Sequence, residues 1–343
     1  MQNKTSQPVA VIILNWNGAK LLREYLPQVV ANTNAEIGRV IVVDNGSTDD
    51  SRQVLEEEFP EVEKLYFTEN YGFAEGYNRA LEYYKDYPYT VLLNSDVAPA
   101  EGWLEPLYGF MEAHPEAGGC QPKLKSYTDK EQFEYAGACG GFLDVNGYPY
   151  CRGRIFDTCE TDAGQYNDVI EVDWASGAAL MIRTELYLRL GGLDKAFFAH
   201  MEEIDLCWRV RLAGYKLYAV PQSVIYHLGG GSLPPSSPKK TYLNFRNNLL
   251  MLYKNLPEKC KGWMLIRRRL LDTIAWAKEV ATLHFANAGA IVKAHRDFAR
   301  MRPEMKTAGA TSNLLAHRPN ILVKYYLLGK KTFKSLSPIN YNL

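Results

Sequence analysis

The sequence predicts an α/β domain built on an open, mostly parallel sheet with helices on both faces, followed by a C-terminal helical extension. Three observations predict it. Short aliphatic runs recur in the first hundred residues, as interior strands covered on both sides require. Helix-length segments separate these runs, and strand–helix alternation implies right-handed parallel crossovers. Each run also ends abruptly in polar residues, and open α/β sheets bind ligands at the carboxyl ends of their strands.

Val9 to Leu14 runs into Asn15-Trp16-Asn17-Gly18, and Val40 to Val43 into Asp44-Asn45-Gly46-Ser47-Thr48-Asp49. Leu65 to Phe67 runs into Glu69-Asn70-Tyr71-Gly72, and Tyr89 to Leu93 into Asn94-Ser95-Asp96. Helices are expected over 19–32, 50–58, 74–84 and 103–114, the second opened by the N-cap chemistry of Ser47-Thr48-Asp49-Asp50. Residues 118–170, rich in Gly and Tyr, predict irregular strands and mobile loops over the crevice. Order resumes at Val172 to Ile182, and the helix that follows closes at Gly191-Gly192. A strand over 217–226 delivers His227 ahead of a Gly229-Gly230-Gly231-Ser232 loop, and Pro234 to Pro238 break the chain. The remainder reads as helical, with Ile266, Leu270, Ile274 and Ala277 at helical spacing. The division expected is a catalytic domain over 1–256 and a basic, mainly helical region over 257–343.

The 343 residues carry 39 Lys+Arg against 39 Asp+Glu, but the balance conceals a split. Residues 257–343 hold 16 Lys+Arg and 5 Asp+Glu, or +11, which leaves 23 against 34, or −11, for the rest. A basic tail on an acidic body points to an anionic partner. The six cysteines contain no Cys-x-x-Cys pair, so reduced thiols are expected; a zinc site from Cys139, Cys151 and Cys159 is disfavoured by the spacing. The first apolar run is short and ends in Asn15, so no signal peptide is expected, and no segment reaches the roughly 18 apolar residues of a membrane span. A cytoplasmic location follows as the expectation.

A carboxylate should not end a buried strand unless it meets water, a cation or a ligand. Asp44 at its exit suits a ribose hydroxyl or base N–H, against an Asx-turn that shapes the loop. Asn70 to Asn78 places Gly72 and Gly76 at a helix start, where anions are attracted, against a turn that needs Gly for backbone reasons. Asp96 is the candidate ligand for a divalent cation, which commonly takes one or two carboxylates plus substrate phosphates. His227, at another strand end, is either a second ligand or structural. Adjacent carboxylates in Glu202-Glu203-Ile204-Asp205 raise one another's pKa and suit a general base, against the solvated start of a helix. The first turn lacks the G-x-G-x-x-G fingerprint, which argues against a nicotinamide enzyme.

Taken together these residues resemble a family 2 glycosyltransferase of GT-A (nucleotide-diphospho-sugar transferase) fold over most of the first 255 positions. The resemblance rests on Ile13 to Gly18, Val43 to Asp49, Asn70 to Ala74 and Leu93 to Asp96. Ser176-Gly177-Ala178, Gly191 to Asp194, Glu202 to Asp205 and Tyr226-His227 continue it in order. The Asn-x-Gly-Phe-Ala stretch is similar to bacterial rhamnosyl- and other cell-surface polysaccharide transferases.

The resemblance implies a metal-dependent, inverting transfer of a hexosyl-type sugar from a nucleotide-sugar donor to a glycan or lipid-linked acceptor, with Mg2+ or Mn2+ as cofactor. By the same resemblance, Asn15, Trp16, Asn17, Asp44, Asn45 and Ser47 hold the nucleoside, with Asn70, Gly72, Phe73, Asn78, Asn94 and Ser95 near the nucleotide sugar. Asp96 matches the last residue of the family's Asp-x-Asp motif, whose first Asp is Asn94 here, and His227 matches a histidine that in some relatives helps bind metal or diphosphate. Glu203 falls where the family's base stands, with Glu202 and Asp205 as neighbouring candidates. Trp174 is expected either to stack on the acceptor sugar or to sit in the core. A nucleotidylyltransferase would need a Gly-rich, basic phosphate loop after the first strand, which Asn15 to Gly18 does not supply. A non-catalytic carbohydrate-binding protein that keeps the fold is the other alternative. No nucleic-acid partner is expected, and the oligomeric state stays open. The basic tail, with Arg267-Arg268-Arg269 and Ile321 to Lys331, is expected at the anionic inner face of the cytoplasmic membrane, the alternative being a helical subdomain packed on the body or a dimer partner.

Overall fold

A computed structural model describes residues 7–229 and 237–336. The Gly- and Pro-rich segment read from the sequence over 230–236 lies outside them. The chain opens with β1 (Val9–Asn15), α1 (Ala19–Asn32), β2 (Gly38–Asn45), α2 (Ser51–Glu57), β3 (Glu63–Phe67), α3 (Gly72–Tyr83) and β4 (Tyr89–Leu93). These four strands form a parallel half-sheet in the order β3-β2-β1-β4. Successive residues of β1 feed opposite layers: Val9, Val11 and Ile13 join the core under α1, while Ala10 and Ile12 join the core under α3. That two-sided burial is why the run reads as continuous apolar rather than alternating.

Next come β5 (Val97–Pro99), α4 (Leu104–Ala113) and β6 (Ala117–Ser126). Four short strands, β7 (Gly141–Leu143), β8 (Pro149–Cys151), β9 (Arg154–Ile155) and β10 (Thr158–Cys159), make a separate antiparallel sheet. Then follow β11 (Ile170–Val172), β12 (Ala179–Arg183), α5 (Thr184–Arg189), α6 (Glu202–Leu212) and β13 (Lys216–His227). The main sheet runs β11-β13-β6-β12-β4-β1-β2-β3, with β5 added to β13. Its second half is mixed: β12 lies antiparallel to β4 and β6, and β13 parallel to β6.

Residues 118–170 depart from the mobile loops expected. Phe133, Phe142, Tyr150, Ile155 and Tyr166 are buried there, and Phe333 from the C-terminal region stacks 5.0 Å from Phe142. Aromatic residues scattered through a Gly-rich segment build a small core that periodicity alone cannot reveal.

α7 (Pro238–Asn255) ends the expected catalytic domain, and α8 (Glu258–Ala281) and α9 (Phe285–Met301) form the extension. Ser237 caps α7 by accepting from the Lys240 N–H (3.2 Å), with Pro238 in the first turn where its missing donor costs nothing. Of the tail residues, Ile321 is buried and Tyr325 is hydrogen-bonded to Thr158 (2.7 Å), while Tyr326, Leu327 and Leu328 are exposed. Among the described residues no helix is long and apolar enough to cross a membrane.

Candidate active site

The parallel register puts Asn15 directly opposite Asp44. Asn15 Nδ2 donates to Asp44 Oδ1 (2.9 Å), and the Ser47 hydroxyl donates to the same oxygen (2.5 Å). Ser47 N–H reaches Asp44 Oδ2 (3.1 Å), and Asn17 N–H reaches Ser47 Oγ (2.9 Å). Asp44 therefore shapes its turn and ties the first two strand exits into one polar net, beside which Trp16 is exposed. Asn45 fixes the third exit: its Nδ2 donates to Asn70 Oδ1 and Gly72 O, both at 3.0 Å, and its Oδ1 accepts from Tyr71 N–H (3.1 Å). Phe73 packs edge-on against Tyr77.

The fourth exit is completed from across the sheet. β5 pairs antiparallel with β13 so that Val97 faces His227, which brings the imidazole beside Asp96. His227 Nε2 lies 3.1 Å from Asp96 Oδ1 and 3.5 Å from Asn94 Nδ2. The other ring nitrogen faces Glu134 Oε1 at 3.4 Å, too long and bent for a strong bond but close enough for an ion pair. Burial disfavours a charged His227, but the Asp96 and Glu134 carboxylates outweigh it and push its pKa up to about 10. Burial likewise opposes the Asp96 charge, and His227 reverses the balance, holding Asp96 below the usual carboxylate range.

The acidic cluster opens α6. Phe198, His200 and Met201 just before it take φ of 67°, 68° and 73°, a left-handed region that non-glycine residues rarely adopt. Asn247 of α7 holds that path: its Nδ2 faces the carbonyls of Phe197, Ala199 and His200 at 2.7–2.8 Å. Glu202 is buried and Glu203 half-buried, and one carboxylate oxygen of each, Oε2, has no hydrogen-bond partner among the described residues. Burial raises both pKa values, Glu202 further because the Glu203 charge stands beside it. Burial, and then the Lys240 charge, lower His200 to about 4.

Both centres flank one place, where β4 and β12 part. Asn94 N–H donates to Ala178 O (3.0 Å). One residue earlier, a Cβ on Gly177 would stand 3.5 Å from Glu203 Cβ. From the other side, Ala136 N–H donates to Glu134 Oε2 (2.5 Å) while Ala136 O accepts from Ser176 Oγ (2.7 Å). Lys240 interacts electrostatically with both Glu134 and His200, one group from each centre.

Three expected site residues point elsewhere. Asp205 is fully buried and taken up by Arg209 (2.9 Å), Lys254 (2.9 Å) and Asn255 (2.7 Å), which leaves Glu202 and Glu203 as the candidate bases. Asn78 turns to the 191–193 loop, donating to Leu193 O (2.8 Å) and accepting from Tyr187 OH (2.6 Å) and Leu193 N–H (2.9 Å). Trp174 is 2% exposed, donates to Phe142 O (3.0 Å) and lies flat against Gly141, so the core alternative holds and no sugar can stack on it. Conversely, Glu134 and Asn247 carry no spacing signal in the sequence; only the folded chain brings them to the site.

Residues 10–154 match the family model "Glycosyl transferase family 2". That stretch is a family 2 glycosyltransferase domain. This glycosyltransferase is 24% identical over 234 residues to the N-acetylglucosaminyl-diphospho-decaprenol L-rhamnosyltransferase of Mycobacterium tuberculosis, covering 63% of this chain and 75% of that one. Among solved structures it is similar to GalNAc-T7 with UDP, GalNAc and Mn2+, at TM-score 0.54 and 15% identity over 74% of this chain and 48% of that chain. It is also similar to the mannosyltransferase PcManGT from Pyrobaculum calidifontis in complex with GDP-Man and Mn2+, at TM-score 0.51 and 18% identity over 95% and 83%. The glycosyltransferase has the GT-A fold.

Do its residues suit a divalent cation? Among the described residues no cluster of three or more His, Cys, Asp or Glu side chains is arranged to hold one. Asp96 and His227 fit as a pair only with the imidazole neutral, so a cation entering there would displace the proton that now lies between Nε2 and Asp96. Neighbouring ligands of an octahedral ion with bonds of about 2.1 Å stand about 3 Å apart, which is the spacing of Asp96 Oδ1 and His227 Nε2. Glu134 behind Nδ1 supplies the outer carboxylate that fixes a ligating ring. Two protein ligands leave room for substrate phosphate oxygens.

The strained loop gives a stability prediction. Asn247→Ala takes the donor from the half-buried Ala199 and His200 carbonyls, while Arg246 still reaches Phe197 O (2.8 Å); a fully buried unmade bond costs about 1–3 kcal/mol. Urea unfolding should show a loss of about 2 kcal/mol; a loss below about 0.5 kcal/mol, the surface-substitution level, would mean the clamp is decorative.

Glu202 gives one in pH. A carboxyl whose folded pKa is raised contributes stability that is complete below its unfolded value, 4.5, and is lost as pH rises through the folded value. Glu202→Gln removes that loss, so its Tm advantage over wild type should be small near pH 4 and widen toward pH 8. A gap that stays constant with pH contradicts this.

Proposed function

We propose that the chain transfers a sugar, with inversion, from a nucleotide-diphosphate donor to a hydroxyl of a glycan or lipid-linked acceptor in cell-surface polysaccharide synthesis. Residues 1–256 form the transfer unit and 257–343 the basic helical region. The observation that carries this reading is the meeting of the Asp96–His227 corner and Glu203 at the parting of β4 and β12. The M. tuberculosis relative, named for rhamnosyl transfer to a diphospho-decaprenol, supports the acceptor class.

Glu203 is the base. Its unpartnered oxygen and raised pKa suit it to take the proton from the acceptor hydroxyl as that oxygen bonds to the anomeric carbon. The bond from that carbon to the diphosphate breaks, and its electron pair leaves with the nucleoside diphosphate. Asp96 and His227 hold the Mg2+ or Mn2+, whose contribution when bound is to neutralise charge on the diphosphate. The net of Asn15, Asn17, Asp44 and Ser47, with exposed Trp16, offers hydrogen bonds and a ring face to the nucleoside. Neighbours solved with Mn2+ support the cation.

The test is a panel of nucleotide sugars, read first by thermal stabilisation and then by release of nucleoside diphosphate with the stabilising donor. One donor should stabilise the chain and be consumed, and NMR of the product should give the opposite anomeric configuration. No stabilisation by any donor would end the reading, and a retained configuration would end its inverting step.

A further inference from the structure

Helix α8 is inside out. Arg268 and Asp272 on its inner face are each 1% exposed and paired at 3.1 Å. The Tyr148 ring lies 4.0 Å from the Arg268 guanidinium, and His295 Nε2 lies 3.0 Å from the second Asp272 oxygen. Of the arginine triplet read as a cationic patch, the middle member therefore serves the interior. Outward go Trp263, Ile266, Leu270 and Ile274, each 56–69% exposed. At 3.6 residues per turn these four fall within an arc of about 80° and run for about 17 Å along the helix. A helix on the surface of a soluble protein normally shows the reverse arrangement. An apolar stripe of this size marks a surface that meets a partner.

We propose that this face of α8 docks on an anionic lipid surface. Arg267 and Arg269 flank the stripe on opposite sides by the same helical geometry, and no carboxylate falls on it, since Asp272 is turned inward. The surrounding region, 257–343, carries +11, which complements anionic headgroups. An aromatic anchor at one end and arginines along both edges are what an interfacial helix needs to lie in the plane of a bilayer. A second copy of the chain suits the stripe less well. Face-to-face packing would set Arg267 and Arg269 of each copy against a surface with no opposing carboxylate. The proposal goes beyond sugar transfer and rests on no part of its chemistry, although a lipid-linked acceptor would be reached from such a surface.

The experiment is sedimentation of the full chain with vesicles of phosphatidylcholine alone or mixed with phosphatidylglycerol. Wild type should sediment with the mixed vesicles, less so in high salt, and remain in solution with phosphatidylcholine alone. The double substitution Leu270→Glu/Ile274→Glu alters only exposed positions and should reduce binding about tenfold or more. Arg267→Gln/Arg269→Gln should reduce it selectively for the anionic vesicles. Unchanged near-ultraviolet circular dichroism and unchanged donor hydrolysis confirm that the variants are folded. Wild type that ignores anionic vesicles, or a double substitution that binds as wild type does, overturns the proposal. So does a dimer that dissolves on the Glu substitutions without any vesicle binding, which would assign the stripe to a second copy. Because no nucleotide sugar is present, a failed vesicle assay leaves the transfer reading standing, and a failed transfer assay leaves this one.

Discussion

Replacing Glu203 by Gln is expected to slow turnover by about 10²–10⁴-fold while the nucleotide sugar binds as before. The substitution keeps the shape that packs against Gly177 and removes only the capacity to take a proton. Burial raises the Glu203 carboxyl above the usual carboxylate range, the direction that makes it a stronger base. kcat should fall with little change in the donor Kd, the signature of an interaction made only in the transition state. Turnover within about threefold of wild type would pass the role to Glu202, whose second oxygen is also unpartnered.

Asp96→Ala carries the second large effect. It removes the carboxylate from the proposed cation corner and leaves His227 facing Glu134 alone, with the imidazole still buried. Mn2+ affinity, followed by the electron paramagnetic resonance of the free ion, should drop about 100-fold, and activity should lose its response to added metal. A variant still stimulated by Mn2+ would remove Asp96 from the site. Glu134→Gln should act more gently on the same readout, about tenfold, because it orients the ring without ligating.

The strand exits were legible because parallel strands in an open sheet share one carboxyl edge. Asn15 opposite Asp44 and Asn45 opposite Phe67 are consequences of register that the apolar runs already implied. His227 was legible as a strand end, but its meeting with Asp96 depends on β5 turning back antiparallel to β13, a pairing no local pattern encodes. Glu134 was hidden in a segment whose core is made of scattered aromatics. Asn78 was misplaced for a different reason, and Trp174 took the core alternative of its two. Sequence position tells that a residue lies near the crevice but not which way its side chain turns. Asn78 turns to Leu193 and Trp174 to Gly141. The same blindness affected α8, where helical spacing was readable in Ile266, Leu270 and Ile274 but the outward direction of that face was not. Which face of a helix is inner depends on what it packs against, and here a buried ion pair with Tyr148 and His295 claimed the inner side.

The most direct measurement is a crystal structure of the Glu203→Gln variant with the stabilising nucleotide sugar and Mn2+. The anomalous signal of the metal should sit on Asp96 and His227, with the anomeric carbon between the metal and residue 203. Metal density elsewhere, or a sugar whose anomeric carbon faces away from residue 203, would contradict the claim that both centres serve one crevice.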